Sequence, residues 1–261
     1  MILDFDVGNT ETTIGLFEGE PLAAHWRVVT DEPRTPDELG MMMHALLASK
    51  QVSPRQVTGV AIGSVVPAVT TPLMESVEGW LQAPAIIIDG TSRLPIRLDV
   101  DEPSTVGADR IINTLAACRL YGRDTVVVDL GTATTYDCIT ADGVFLGGII
   151  QPGVRTSAET LFRRTSKLPA TELVPPKQVI GRRTEECIRA GVLFGAADSI
   201  DGIVRRIKAA WPRANVPYVV ATGGLAEGLR PYCTEIEHVE PYLTLMGLQM
   251  AHALIGATPA A

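Results

Sequence analysis

Two stretches of this sequence join a carboxylate, a glycine and a run of hydroxyls directly after an apolar strand. The first is Asp6-Val7-Gly8-Asn9-Thr10-Glu11-Thr12-Thr13. The second, nearly half the chain later, is Asp129-Leu130-Gly131-Thr132-Ala133-Thr134-Thr135-Tyr136. A strand ending in Asp-x-Gly can turn sharply, because glycine accepts φ > 0. The N–H groups and the Thr and Asn side chains that follow then face into a concavity suited to phosphate oxygens. Asp6 and Asp129 would repel phosphate directly, so each is better used on a cation or on water ordered by that cation. A single turn of this kind is an ordinary Asx-type hairpin closure. Two of them at matching strand ends indicate a duplicated half-domain.

Other positions carry chemistry with a bland reading beside it. Gly107-Ala108-Asp109-Arg110 opens a helix. Asp109 is either a helix N-terminal acid favoured by the dipole or the acceptor of a hydroxyl proton in phosphoryl transfer. Arg110 is either a surface charge or a grip on an acceptor carboxylate. Thr222-Gly223-Gly224 follows a strand, as a tight turn or as a flat seat for adenine or ribose. Thr184, after Gly181-Arg182-Arg183, reads first as a helix-capping hydroxyl and second as a ligand contact. The sequence holds no Gly-x-x-x-x-Gly-Lys-[Ser/Thr] loop, and no Gly-x-Gly-x-x-Gly turn after its first strand.

The elements that must hold these residues alternate between strand and helix. Strands are expected at 1–9, 12–17, 23–29, 57–66, 85–89, 125–129 and, after a Gly/Thr turn, on to about 140, then at 144–150 and 218–221, with Asp142-Gly143 as a hairpin turn. Helices are expected at 35–50, 68–82, 107–122, 154–168, 183–210 and 243–255. Thr35-Pro36-Asp37-Glu38 is a capping box with proline at the first helical position. The class is α/β, divided at 118/119 into two halves, 1–118 and 119–261.

Composition narrows the function. Of 261 residues, 46% are hydrophobic and the net charge is −8, which suits a large packed core and argues against nucleic acid or anionic membrane as partners. Only Lys50, Lys167, Lys177 and Lys208 are lysines among 22 cationic residues, so a phosphate grip must lean on Arg, amides, hydroxyls or metal ions. Cys118, Cys138, Cys187 and Cys233 form no Cys-x-x-Cys clip, and the N-terminus shows no signal segment. The expectation is a cytoplasmic protein with four reduced thiols.

Taken in order, Asp6-x-Gly8-Asn9-Thr10, Gly107-Ala108-Asp109-Arg110, Asp129-x-Gly131-Thr132-Ala133-Thr134-Thr135, Gly147-Gly148, Pro152-Gly153, Gly181, Thr184 and Thr222-Gly223-Gly224 resemble the type III pantothenate kinases. Leu243-Thr244-Leu245-x-Gly247-Leu248 resembles that family's C-terminal helix. The resemblance implies two ribonuclease-H-like halves of the actin-like ATPase superfamily, with ATP in the cleft between them. It implies ATP-dependent phosphorylation of the 4′-hydroxyl of pantothenate, the first step towards coenzyme A, by a homodimer. By motif, residues Asp6 to Thr13 would form the first ATP-phosphate loop. Thr132 and Gly223 would touch ATP, and Asp129 would bind a monovalent cation, K⁺ or NH4⁺. Mg²⁺ would accompany the ATP. Asp109 would take the proton, Gly107 to Arg110 would hold pantothenate, and Thr184 would reach pantothenate across the dimer. Val100 stands where members commonly have Tyr, and Val supplies no phenol hydrogen bond.

Two other functions fit the same motifs. One is a kinase for another small hydroxylated acid or sugar. The other is a nucleotide-binding accessory factor without turnover, against which the intact Asp109-Arg110 pair argues.

Overall fold

The computed structural model describes residues 1–30 and 34–256. The elements of the first part are β1 (Ile2–Val7), β2 (Glu11–Phe17), β3 (Leu22–Val29), α1 (Pro36–Ser49), β4 (Gly59–Ser64), α2 (Pro67–Ser76), β5 (Ala85–Ile88), β6 (Arg97–Leu98) and α3 (Ala108–Tyr121). Then follow β7 (Thr125–Leu130), β8 (Ala133–Ile139), β9 (Val144–Pro152), α4 (Val154–Arg164), α5 (Thr184–Ala209), β10 (Tyr218–Thr222), α6 (Ala226–Leu229), β11 (His238–Val239) and α7 (Leu243–Gly256). Among the described residues no helix is long and apolar enough to cross a membrane.

Local chemistry sets these elements where the sequence is explicit. Thr35 accepts the Glu38 N–H at 3.3 Å, and Glu38 accepts the Thr35 N–H at 2.8 Å, so both halves of the capping box form at α1. Gly122 and Gly143 take φ of +57° and +77°, ending α3 and closing the β8–β9 hairpin. In β1, Leu3, Phe5 and Val7 point into one apolar core with α1, while Asp4 and Asp6 face the other side of the sheet. β4, β7 and β10 are buried on both faces, as their Val- and Ile-rich runs require.

The chain forms two compact units: 1–120 with the C-terminal residues from Leu243, and 121–242. The last helix thus groups with the first unit, whereas the sequence division runs from 119 to the end. Small residues explain the grouping. A β-carbon built on Gly15 would lie 3.0 Å from Leu245, and one on Gly63 would lie 3.3 Å from Leu248, so α7 seats closely on the sheet of the first unit.

The two units repeat one topology. The first sheet runs β3-β2-β1-β4-β5, and in the second unit the strands run β9-β8-β7-β10-β11. In each, three antiparallel strands are followed by two parallel ones. This is the ribonuclease-H-like order expected of a duplicated half-domain, in an α/β protein with two mixed sheets. The duplication differs in one detail from the ungapped alignment of the two motifs. Val7 pairs with Thr12 across the first hairpin, but Leu130 pairs with Thr134 across the second. The first turn is one residue longer, so Thr12 and Thr13 correspond to Thr134 and Thr135.

Several boundaries moved. α4 stops at Arg164 rather than running to 168, and α2 carries Pro72 and finishes in a wider turn over Val77–Leu81. The short elements β6, α6 and β11 carry too few residues to show a period.

Candidate functional site

In the first unit, Asp6 sits one residue before the end of β1, opposite Thr13 on β2 and Gly63 on β4. The Gly8 N–H donates to the Glu11 carbonyl at 3.2 Å and closes the turn, leaving Asn9 and Thr10 exposed at its tip. The turn is braced from β3. The Thr30 N–H donates to the Thr10 carbonyl at 3.0 Å, and the Thr12 and Thr30 hydroxyls share a buried hydrogen bond of 2.8 Å. Glu11 pairs with Arg27. Thr12 and Glu11 therefore hold the hairpin, while Asp6, Gly8, Asn9, Thr10 and Thr13 shape its open side.

The Gly107–Arg110 segment meets the same strand end through Val65. The Val65 N–H donates to the Val7 carbonyl at 3.1 Å, and a β-carbon on Gly107 would lie 3.4 Å from the Val65 side chain. Ala108 is buried as the first residue of α3. Asp109 is the second residue, where the helix dipole favours a carboxylate. Its Oδ1 accepts the Arg110 N–H at 2.8 Å. Burial nevertheless raises the Asp109 pKa above its ordinary value, the Arg110 N–H and guanidinium opposing only in part. A carboxylate held so is a better proton acceptor than an exposed one.

The second hairpin is clamped from two sides. The Gly131 N–H donates to the Ala133 carbonyl at 3.1 Å. The Thr132 carbonyl accepts both the Gly153 N–H at 3.1 Å and the Thr156 hydroxyl at 2.7 Å. A β-carbon on Gly153 would come within 2.6 Å of the Gly131 carbonyl oxygen, so only glycine lets the start of α4 approach this turn. On the other side Gly223, with φ of +88°, lies against Asp129. A β-carbon there would be 2.6 Å from Asp129 Oδ1 and 2.8 Å from the Leu130 backbone. Asp129, Thr132 and Gly223 are thus gathered in one place, with their backbone pre-organised.

Thr184 stands apart from that turn, exposed as the first residue of α5. It makes no cap: Arg183 holds the N-cap position without a side-chain bond, and the Arg182 N–H donates instead to Glu186 at 2.8 Å. The capping expectation for Thr184 is therefore replaced. Glu186 instead closes the turn that precedes the helix, and Thr184 lines a cavity of about 620 Å³ with Thr134, Gln151, Ser157, Cys187 and Ser199.

Three residues at or beside these sites escaped the sequence reading, Val65, Thr156 and Asn113, and Thr244 entered it only as part of the C-terminal helix motif. Val65 contributes through its N–H and Thr156 through a hydroxyl bond to a backbone carbonyl, neither of which a sequence pattern announces. Asn113 and Thr244 did leave a signal, as polar residues on the apolar faces of their helices.

Comparison with known proteins adds to this geometry. The family model described as "Type III pantothenate kinase" matches residues 2–206. A type III pantothenate kinase of Roseiflexus sp. strain RS-1 is 42% identical over 254 residues, spanning 97% of this chain and 99% of the relative. Among solved structures, the activator of 2-hydroxyisocaproyl-CoA dehydratase from Clostridium difficile, with bound ADPNP, superposes with a TM-score of 0.57 at 12% identity. It covers 100% of this chain and 98% of its own. The ROK hexokinase of Thermus thermophilus gives a TM-score of 0.52 at 14% identity, covering 98% of each chain. At such identities these structures speak to the fold alone, and the fold is that of the actin-like ATPases.

Proposed function

The chain belongs to the type III pantothenate kinase family, ATP-dependent enzymes that phosphorylate pantothenate in coenzyme A biosynthesis, and we propose how its own residues divide that work. The observation that carries the proposal is the meeting of the β1 strand end and Gly107, whose neighbour Asp109 folds back over it, on either side of Val65. A turn rich in N–H groups and hydroxyls and a part-buried base are thereby brought to one sheet end.

In this reading the turn Asp6 to Thr13 receives ATP phosphate oxygens on its N–H groups and hydroxyls. Gly107 to Arg110 hold pantothenate, with the Arg110 guanidinium matched to its carboxylate. Asp109 accepts the proton of the 4′-hydroxyl as that oxygen bonds to the γ-phosphorus and the bond to the β-phosphate oxygen breaks. The proton leaves late, as a loose transition state allows. Thr132 and Gly223 lie against the nucleotide. The chain's part is mostly positioning, with its groups fixed before substrate arrives.

Among the described residues no group of three or more His, Cys, Asp or Glu side chains is gathered to hold a metal ion, so each cation in this reading would rest on one carboxylate together with ATP. Asp6, a carboxylate at a strand end flanked by Gly63 and Gly8, would hold Mg²⁺ with ATP. Asp129, whose carboxylate packs against Gly223, would hold K⁺ or NH4⁺. Both would set positive charge against the phosphates, in a chain with only four lysines among its 22 Lys and Arg residues.

Thr184 contacts pantothenate from a second copy of the chain. In support, the unit carrying Thr184 exposes Ile150 at 63%, Phe162 at 50%, Val179 at 71% and Ile180 at 82%, apolar side chains that a second copy would cover.

The test is ADP release by the full-length protein with Mg²⁺-ATP, with and without pantothenate, across K⁺ concentrations. Pantothenate- and K⁺-dependent release is expected. Release that ignores pantothenate, or that another hydroxylated acid or sugar stimulates more, would overturn the assignment of acceptor.

A further inference from the structure

Asp109 has one turn of helix behind it, and that turn is tied to the far end of the sequence. Asn113 lies four residues along α3, on the same face as Asp109. It is buried to 1% exposure, and its Oδ1 accepts the Thr244 hydroxyl of α7 at 2.9 Å. Thr244 is itself only 7% exposed. The two helices touch backbone to backbone beside this bond. A β-carbon on Gly247 would fall 2.6 Å from the Ile112 carbonyl oxygen and 3.2 Å from the Ala116 methyl. α7 is in turn keyed to the sheet, with Leu245 over Gly15 and Leu248 over Gly63. Gly63 is the neighbour of Asp6 across β1 and β4.

We infer that Thr244 and Asn113 are positioning residues that fix the register of α3 against the sheet, and so aim Asp109 at the acceptor hydroxyl. The inference rests on the reading of Asp109 as proton acceptor. Apolar packing between α3 and α7 is non-directional and tolerates a slide along the helix axis. The hydroxyl-to-amide bond does not, because a buried acceptor that loses its donor must find another. A slide of about 1 Å is enough to cost a reacting group about a hundredfold in rate. The pair therefore acts through Asp109 and touches no substrate.

The experiment is a double-mutant cycle in the full-length enzyme, with turnover expressed per folded molecule. Thr244→Val keeps the volume and removes the hydroxyl, and Thr244→Ser keeps the hydroxyl. Thr244→Val is expected to lower kcat by roughly ten- to a hundredfold while the KM for ATP stays within about twofold, and Thr244→Ser to restore kcat. In an Asp109→Asn background, Thr244→Val is expected to cost nothing further. Should Thr244→Val not fold, Thr244→Ala carries the same expectations. Unchanged kcat in a folded Thr244→Val variant would overturn the inference. So would a loss that persists at full size when Asp109 is already Asn. Near wild-type turnover in Asp109→Asn alone would instead overturn the role of Asp109, a result separable from the first two.

Discussion

The carboxylate of Asp109 lies against the α-carbon of Gly107, where an added β-carbon would sit 2.5 Å from Oδ1. Gly107 has no positive φ, so glycine is not needed there for its backbone. It is needed because the carboxylate folds back over it. Gly107→Ala is therefore predicted to push the carboxylate aside and lower kcat by about tenfold or more, in line with displacement of a positioned group. The fold should remain intact. Steady-state kinetics beside a thermal melt check this, and an unchanged kcat would show that Asp109 works from another rotamer.

The pH profile should report the same group. Burial raises the Asp109 pKa above its ordinary value of 3.8, with the Arg110 N–H and charge opposing in part. A proton acceptor works only when ionised, so kcat/KM falls as pH drops through the raised pKa. The acid limb is predicted to have its midpoint above 3.8. A profile still flat at that pH would contradict the burial of this carboxylate.

Asp4 offers a stability prediction at a place the chemistry does not use. It is fully buried in β1, between Gly15 and Ala61 in the sheet, and burial raises its pKa well above the ordinary value. The folded state thus holds this proton more tightly than the unfolded chain does. Stability is complete below the unfolded pKa and declines as pH rises towards the folded one. Asp4→Val is predicted to raise Tm at pH 7, each kcal/mol recovered being worth roughly 2–4 °C in a chain of this size. The gain should be smaller near pH 4, where the proton-linked part of it is gone. Melts at both pH values decide it.

Gly223 should be intolerant for two independent reasons. Its φ of +88° disfavours any side chain, and a β-carbon would strike Asp129 Oδ1 at 2.6 Å. Gly223→Ala is predicted to destabilise the protein by about 1–3 kcal/mol and to shift the K⁺ concentration for half-maximal turnover upward. Denaturant melts and a K⁺ titration measure the two effects separately.

What the sequence revealed and what it hid follow from range. The duplicated turns, the capping box at Thr35 and the glycine stops at residues 122 and 143 are local and were legible, because each depends on residues a few positions apart. The extra residue in the first hairpin was hidden, since register is set by pairing with β3 and β4 rather than by the turn alone. The return of α7 to the first unit was hidden too. It depends on Gly15 and Gly63 leaving room for Leu245 and Leu248, a fit between residues more than 180 positions apart. Thr184 misled for a simpler cause: a hydroxyl beside two acids reads as a cap, and here Arg183 holds the N-cap position, with Thr184 one residue inside the helix.

The central claim is that Asp109 accepts the proton of the acceptor hydroxyl. Asp109→Asn keeps the side-chain oxygen that receives the Arg110 N–H and removes the basicity. Pantothenate-dependent ADP release by this variant is the most direct measurement. A fall in kcat of roughly 10²–10⁴ with Tm unchanged is predicted, and turnover near that of the wild type would contradict the account.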